Sequence, residues 1–510
     1  MVLHMRGGIT EIGNEPAGCP PSSIAVPVGG LTQAVLSAGG PNATFCLEPG
    51  TYRQTSVLTP LAGQRIVSRL PRQAVISGAT LQPAANWTFS GGRWVLSGQT
   101  QGGSVYSDVD GSGNELGNPE QVFYDDEPLL QVSSLGALSS GEFYFDYAAN
   151  TITIADNPSG HIVEVGQGIE HAFEPTNSNV TLEGLVVEKF NTFARRAAVR
   201  IGTGWDIIDV ESRLNYGAGF TLLGNNGLIQ DSRSHDNRFA GIFANDVSDC
   251  TLTRLEVDHN AWGSFNTNWE SSGSKFVFTL RLTATDCHFH DNRGAGFWTD
   301  IDNVDTTITG GTYSSNGNVS SMHGMTTGNN SGFGIVAEIG YDFLVNGVTA
   351  EHNNGPGIIA SNNRAMEVKN SVSRDNGAVV GSGPGNIYAW SQPRGNSNAT
   401  SSGNAASQVI AARYGNNPER ASRSFFAHDN TVGTPRAGTP TTVCGIESLG
   451  ADPNATIVFQ SGFNNRWVAN HYEFANTLAR YEWQDVALTG LQWKTAGTTW
   501  LPFDTAGTWT

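Results

Sequence analysis

The chain has 510 residues, of which 62 are glycine and only 15% are charged. Glycine at that level is costly in helix interiors and suits an all-β protein with many turns. The net charge of −18 argues against nucleic acid and anionic membrane surfaces as partners, and against a polyanionic substrate unless a cation bridges the two.

Residues 1–18 read as a leader. "MVLHMRGG" lacks the apolar core of a signal peptide, so any such signal has been removed or lay upstream. No apolar run reaches transmembrane length. Residues 19–83 read as opening coils of a repetitive fold, with "FCLEPGTYR", "IVSR" and "AVISGATL" as short strands. Cys19 and Cys46 lie here and either pair to close that end or are two unrelated buried thiols. Cys250, Cys287 and Cys444 have no metal-ligand spacing and read as buried. Residues 84–160 break the pattern: "GGRWVLSG", "EQVFYDDEPLLQV" and "GEFYFDYAANTITIA" read as hairpins of a small β insertion. If it folds over a groove, Trp94 or the turn Asp125–Asp126 contributes there; otherwise both are structural.

Residues 161–435 carry the repeat. "GLIQDSRSHDN", "CTLTRLEVDHN", "LTATDCHFHDN" and "MEVKNSVSRDN" alternate apolar and polar residues and end at asparagine. Glycine-rich turns such as "NRFAGIFA", "NRGAGFWT" and "NNGPGIIA" follow. The anchors are Asn191, Asn215, Asn237, Asn260, Asn292, Asn330, Asn353 and Asn376, spaced 24, 22, 23, 32, 38, 23 and 23. Period-2 strands at about 23 residues, with no helical pattern between them, predict a right-handed parallel β-helix. Asparagine suits the turn because it tolerates the left-handed region and can bond the coils above and below. Residues 436–510 begin within a linker-like "GTPRAGTPTT" and carry regularly spaced tryptophans. They read as a C-terminal β cap over the open end of the helix.

Counting from each anchor as zero, position 5 (Phe220, Ile242, Phe297, Ile335, Ile358) and position 7 (Ala244, Thr267, Thr299, Ala337, Ala360) face inward. Positions 6, 8 and 10 then face outward. Trp298, Asp300 and Asp302 are successive outward residues of one strand. Glu338 stacks over Asp300, Asn268 shares their column, and Glu270 lies one coil below Asp302. Strands stack about 4.8 Å apart, so the carboxyls of Asp300 and Glu338 lie on the order of 5 Å apart, the separation of a retaining glycosidase. Trp298 offers a flat face for a sugar. The other readings of the acids are calcium ligands or solvated surface. Two enlarged coils flank them: one inserts "WESSGSKFVF" after Asn268, the other "NVSSMHGMTTGNN" before Asn330. Such loops wall off part of the groove. Lys275, in the first, reaches the site as a salt-bridge partner or as a lyase base. Tyr341 and Asp342 orient Glu338 or the substrate, and His323 reads as a solvated loop residue.

The segments "GFWTD" at 296–300 and "IVAEIGYDFLVNG" at 335–347 resemble the strand–carboxylate pattern of glycoside hydrolase family 120, the β-helical β-xylosidases. "WESSGSK" and "GFWTDIDN" are also similar to bacterial β-helix proteins of the pectate-lyase-like superfamily. The resemblance to family 120 implies Asp300 as nucleophile and Glu338 as acid/base. That family also carries a β-rich insertion early in its helix. The likeness is local, about fifty residues, and the carboxylates here stand 38 residues apart where the family has one plain coil.

The expectation is therefore a secreted or periplasmic retaining glycoside hydrolase, monomeric or a small homo-oligomer, acting on an oligosaccharide or polysaccharide. Catalysis falls to Asp300 and Glu338; Trp298, Glu270, Asp302, Asn268, Lys275 and Tyr341 bind substrate. No cofactor is required, although calcium is possible. The alternatives are a polysaccharide lyase or uronate epimerase with calcium on Asp300, Asp302 and Glu338, and a non-catalytic glycan-binding β-helix.

Overall fold

The structure, a computed structural model, describes residues 18–101, 117–318, 321–323, 325–326, 332–377, 385–391, 403–416, 418, 420–435, 442–448, 464–474, 479–483, 486–495 and 504–509. The fold is a right-handed parallel β-helix. Its walls are three long sheets with 13, 13 and 11 strands among the described residues. One turn of the chain contributes a strand to each, for example Leu228–Gln230, Arg233–His235 and Ala240–Asn245.

The three-residue strands of the first two sheets each send their middle side chain inward. In the first sheet Ile207, Ile229, Leu252, Ala284, Ile308, Val345 and Val368 stack rung on rung. All are buried, and burial of each large apolar side chain is worth about 1.5–3 kcal/mol.

Between the second and third sheets runs an asparagine ladder. The side-chain amide of Asn215 donates to Asn237 (2.9 Å), Asn237 to Asn260 (3.0 Å), Asn260 to Asn292 (3.1 Å), Asn292 to Asn316 (3.1 Å), Asn316 to Asn353 (3.0 Å) and Asn353 to Asn376 (2.9 Å). The same carbonyl oxygens also accept the backbone N–H of the asparagine below. Asn316 thus holds the rung expected of Asn330, which lies outside the described residues. The extra residues of that coil follow the anchor instead of preceding it.

A glycine column explains why the register of the third sheet survives these loops. A Cβ on Gly241, Gly273, Gly296, Gly334 or Gly357 would fall 2.6–2.9 Å from the side-chain amide of a ladder asparagine (Asn260, Asn292, Asn316, Asn353 and Asn376, in that order). Each glycine is required by close approach and starts its strand at a fixed distance from the ladder. The extra length of two coils, at 261–271 and 317–332, is therefore spent in the same turn, between asparagine and glycine. The coil between them, carrying Asp300, makes that turn with Arg293–Gly296 alone.

Cys19 and Cys46 are joined by a disulfide, and helix Gln33–Gly39, capped by Thr32, covers that end with Leu36 in the core. A five-stranded sheet from Trp87 to Ile154 and a four-stranded sheet that includes Val163–Gly166 form a side lobe with its own apolar core. The buried Lys189 ties it to the coils through Asp126 (2.5 Å) and Glu164. Parallel stacking continues beyond residue 435: Arg466–Val468 and His471–Tyr472 extend the first two sheets. Trp493, on the short helix after the final antiparallel hairpin, packs against Trp467 and Tyr481. Trp500 and the linker residues 436–441 lie outside the described residues.

Candidate active site

The third sheet carries the acids. Strand Phe297–Asp300 pairs with Ile335–Glu338 in the register Phe297–Ile335, Trp298–Val336 and Thr299–Ala337. Asp300 and Glu338 are the next residues of those strands, so they end neighbouring rungs in one outward column. Phe297, Thr299, Ile335 and Ala337 are fully buried on the inward side. Asn303, itself buried, donates to the Asp300 carbonyl at 2.7 Å and fixes the turn behind it.

Strand Ser272–Val277 forms the rung below. It aligns Val277 with Asp300, which sets Lys275 beneath Trp298. Lys275 is only 4% exposed; its Nζ lies 2.8 Å from Oδ2 of Asp300, whose side chain is 16% exposed. The same ammonium sits 3.2 Å from the centre of the Trp298 ring and donates to the Trp269 carbonyl at 3.0 Å. Trp298 in turn donates its indole N–H to Oε2 of Glu338 at 3.1 Å. A cation in contact with one carboxylate, and an indole donor on the other, hold both acids at the same floor.

Trp298 differs from the expected sugar platform. It points away from the helix core, yet only 7% of it is exposed, because Ala295, Val336, Ile359 and Tyr388 form a second apolar cluster around it. The exposed tryptophan of this neighbourhood is Trp269, at 36%.

The other expected site residues divide by register. The insertion precedes the strand, so Asn266, Thr267, Asn268 and Glu270 belong to a loop and not to sheet positions 6 to 10. Glu270 is not beneath Asp302; it pairs with Arg195. Asn268 is exposed on that loop, with its backbone N–H on the Asn266 side chain. Asp302 lies beyond the strand, in a left-handed turn (φ 56°), buried against Arg420 at 3.2 Å. Tyr341 opens a strand of the first sheet and is buried against Tyr414, away from Glu338. Asp342 is held by Arg413 (2.7 Å) and Tyr414 (2.5 Å). Trp94 packs on Phe89 within the side lobe.

His323 is not a solvated loop residue. It is largely buried, 3.0 Å from Asp236 on one nitrogen and 3.0 Å from Glu127 of the side lobe on the other, and tilted on Trp262. Burial disfavours its cation, but the hydrogen bonds to Asp236 and Glu127 outweigh that and raise its pKa. Among the described residues, the group spaced to hold a metal ion is Glu256, Asp258 and His290. There Asp258 already pairs with Arg233 and His259, so an ion-pair network accounts for the trio. The calcium set expected from Asp300, Asp302 and Glu338 would need a carboxylate that Arg420 already engages.

The comparisons with known proteins agree on the architecture. The family described as the right handed beta helix region matches residues 197–318. No curated protein matches the sequence. Among solved structures, the chain is similar to XylC in complex with xylose: TM-score 0.63, 11% identity, with 88% of this chain and 83% of that one covered. It is also similar to the A-module of the mannuronan C-5 epimerase AlgE4 of Azotobacter vinelandii, with TM-score 0.48, 14% identity and 86% and 90% covered. At 11% identity the likeness to XylC is one of fold, and together with the family match it defines the class as the right-handed parallel β-helix protein.

Proposed function

We propose that the protein is a carbohydrate-active enzyme, a retaining glycoside hydrolase of β-xylosidase-like action. The observation that carries this reading is the placement of Asp300 and Glu338 at the ends of paired strands, about one strand spacing apart. A carboxylate oxygen of Asp300 attacks the anomeric carbon, and the bond from that carbon to the leaving oxygen breaks. Glu338 gives its proton to the departing oxygen. Glu338 then takes a proton from water, the water oxygen bonds the same carbon, and the ester to Asp300 breaks. Lys275 keeps Asp300 aimed, and the Trp298 indole does the same for Glu338.

A lyase using Lys275 as base would have to break its contacts to Asp300, Trp298 and the Trp269 carbonyl, which makes the hydrolase the better reading. No cofactor is required. The Cys19–Cys46 disulfide supports an extracellular or periplasmic location. Among the described residues no helix is long and apolar enough to cross a membrane. A monomer or small homo-oligomer acting on an oligosaccharide or polysaccharide fits these features.

The test is a panel of aryl glycosides and plant polysaccharides with the wild type and Asp300→Asn. Turnover of a glycoside, lost by about three orders of magnitude in the folded variant and indifferent to chelator, is expected. Unsaturated products abolished by chelator would replace this reading with the lyase.

A further inference from the structure

The loop at 261–271 presents a feature that the catalytic pair does not use. Trp269 is 36% exposed, one of the few large apolar side chains left open to solvent among the described residues. It is not a loose surface residue. The Arg195 guanidinium lies 4.9 Å from its ring centre, and the same guanidinium pairs with the adjacent Glu270. Its carbonyl accepts from Lys275, whose ammonium also contacts Asp300. An exposed indole is therefore fixed from two directions, and a single ammonium bridges its backbone to the nucleophile proposed above. Trp298, by contrast, is covered.

We infer that Trp269 is the aromatic platform of a sugar-binding subsite on the Asp300 side of the acid pair. A sugar has an apolar face of axial C–H bonds and an equatorial rim of hydroxyls. The Arg195 guanidinium lies over one face of the indole and pairs with Glu270; the opposite face takes the C–H bonds, and the Arg195–Glu270 pair beside it suits the hydroxyl rim. Trp269 belongs to the coil below Asp300, and Glu338 to the coil above. The platform therefore receives the unit that keeps the anomeric carbon, and the leaving group lies toward Glu338. Substrate would run along the helix axis, across the stacked rungs. This assignment of sides rests on the hydrolase reading; the platform itself does not.

The test is calorimetric titration of Asp300→Asn with xylotetraose, cellotetraose and mannotetraose, repeated with Trp269→Ala and Trp269→Phe added. At least one oligosaccharide should bind. Trp269→Ala should weaken it tenfold or more, and Trp269→Phe, which keeps a flat ring, should stay within threefold. Equal affinity with and without the Trp269 side chain, or no binding of any of the three, would overturn the inference. Full turnover by Asp300→Asn alongside a tenfold effect of Trp269→Ala would sink the hydrolase reading and leave the platform standing.

Discussion

Lys275 is the residue on which the site turns. It replaces, in the outward column, the phenylalanine of the rung below (Phe243) and precedes Trp298 on the rung above. A buried ammonium is tolerated here because a carboxylate, an indole face and a carbonyl all receive it. Lys275→Met should keep the packing volume and strand, but leave Asp300 as a mostly covered carboxylate without its cation. A loss of about 3 kcal/mol in urea unfolding is expected, with turnover falling further than in a variant on the far side of the helix. Unchanged stability would mean that the ion pair contributes nothing net.

At the scale of one coil, the glycine at the start of the five consecutive third-sheet strands from Ala240–Asn245 to Ile358–Ser361 matters more than the distance from the asparagine. Gly296→Ala would place a Cβ 2.7 Å from the Asn316 amide and 2.8 Å from the Gly334 carbonyl. The cost should be about 1–3 kcal/mol, read as a lower unfolding midpoint, with activity lost as the Asp300 strand shifts. The same substitution at Gly347, where nothing would meet the added Cβ, tests only its positive φ of 69°. This contrast also explains what was legible in the sequence. Period-2 strands and recurring asparagines announced the β-helix, and the columns of Phe297, Ile335 and Ile358 were correctly placed inward. Asn330 and Asn268 misled because an asparagine-rich loop offers several residues at plausible spacing. The glycine in "SGSKFV", aligned with that in "AGFWTD", is the signal that places Lys275 beneath Trp298. The burial of Trp298 was not legible, since it depends on neighbours from Ala295 to Tyr388 that come from four coils.

For the whole molecule, the outer face of the second sheet is a network of acids and histidines that sets the response to pH. Hydrogen bonds to Asp291 and Glu256 overcome burial and push His290 up to about 10. His235, His259 and His323 are raised by similar partners. Glu211 is held down to about 2 by His235 and Arg213 despite its burial, and Asp258 to about 2 by His259 and Arg233. Raised histidines contribute stability that is full below their unfolded value of 6.5 and is lost as pH climbs toward 10. Lowered carboxylates contribute stability that is full above 4.5 for glutamate and is lost as pH falls toward 2. Burial lowers the pKa of His171 and His288, which pull the other way. The thermal midpoint should therefore peak between about pH 4.5 and 6.5 and fall by several degrees toward pH 9. A midpoint still rising at pH 9 would contradict this assignment.

The most direct check on the paired acids is chemical. A 2-deoxy-2-fluoro glycosyl fluoride of the sugar selected by the aryl glycoside panel is added, and the digested protein is mapped by mass spectrometry. The glycosyl ester should sit on the peptide containing Asp300, at one adduct per chain. An adduct on any other carboxylate, or turnover of the reagent with no adduct while the enzyme stays fully active, would contradict the account.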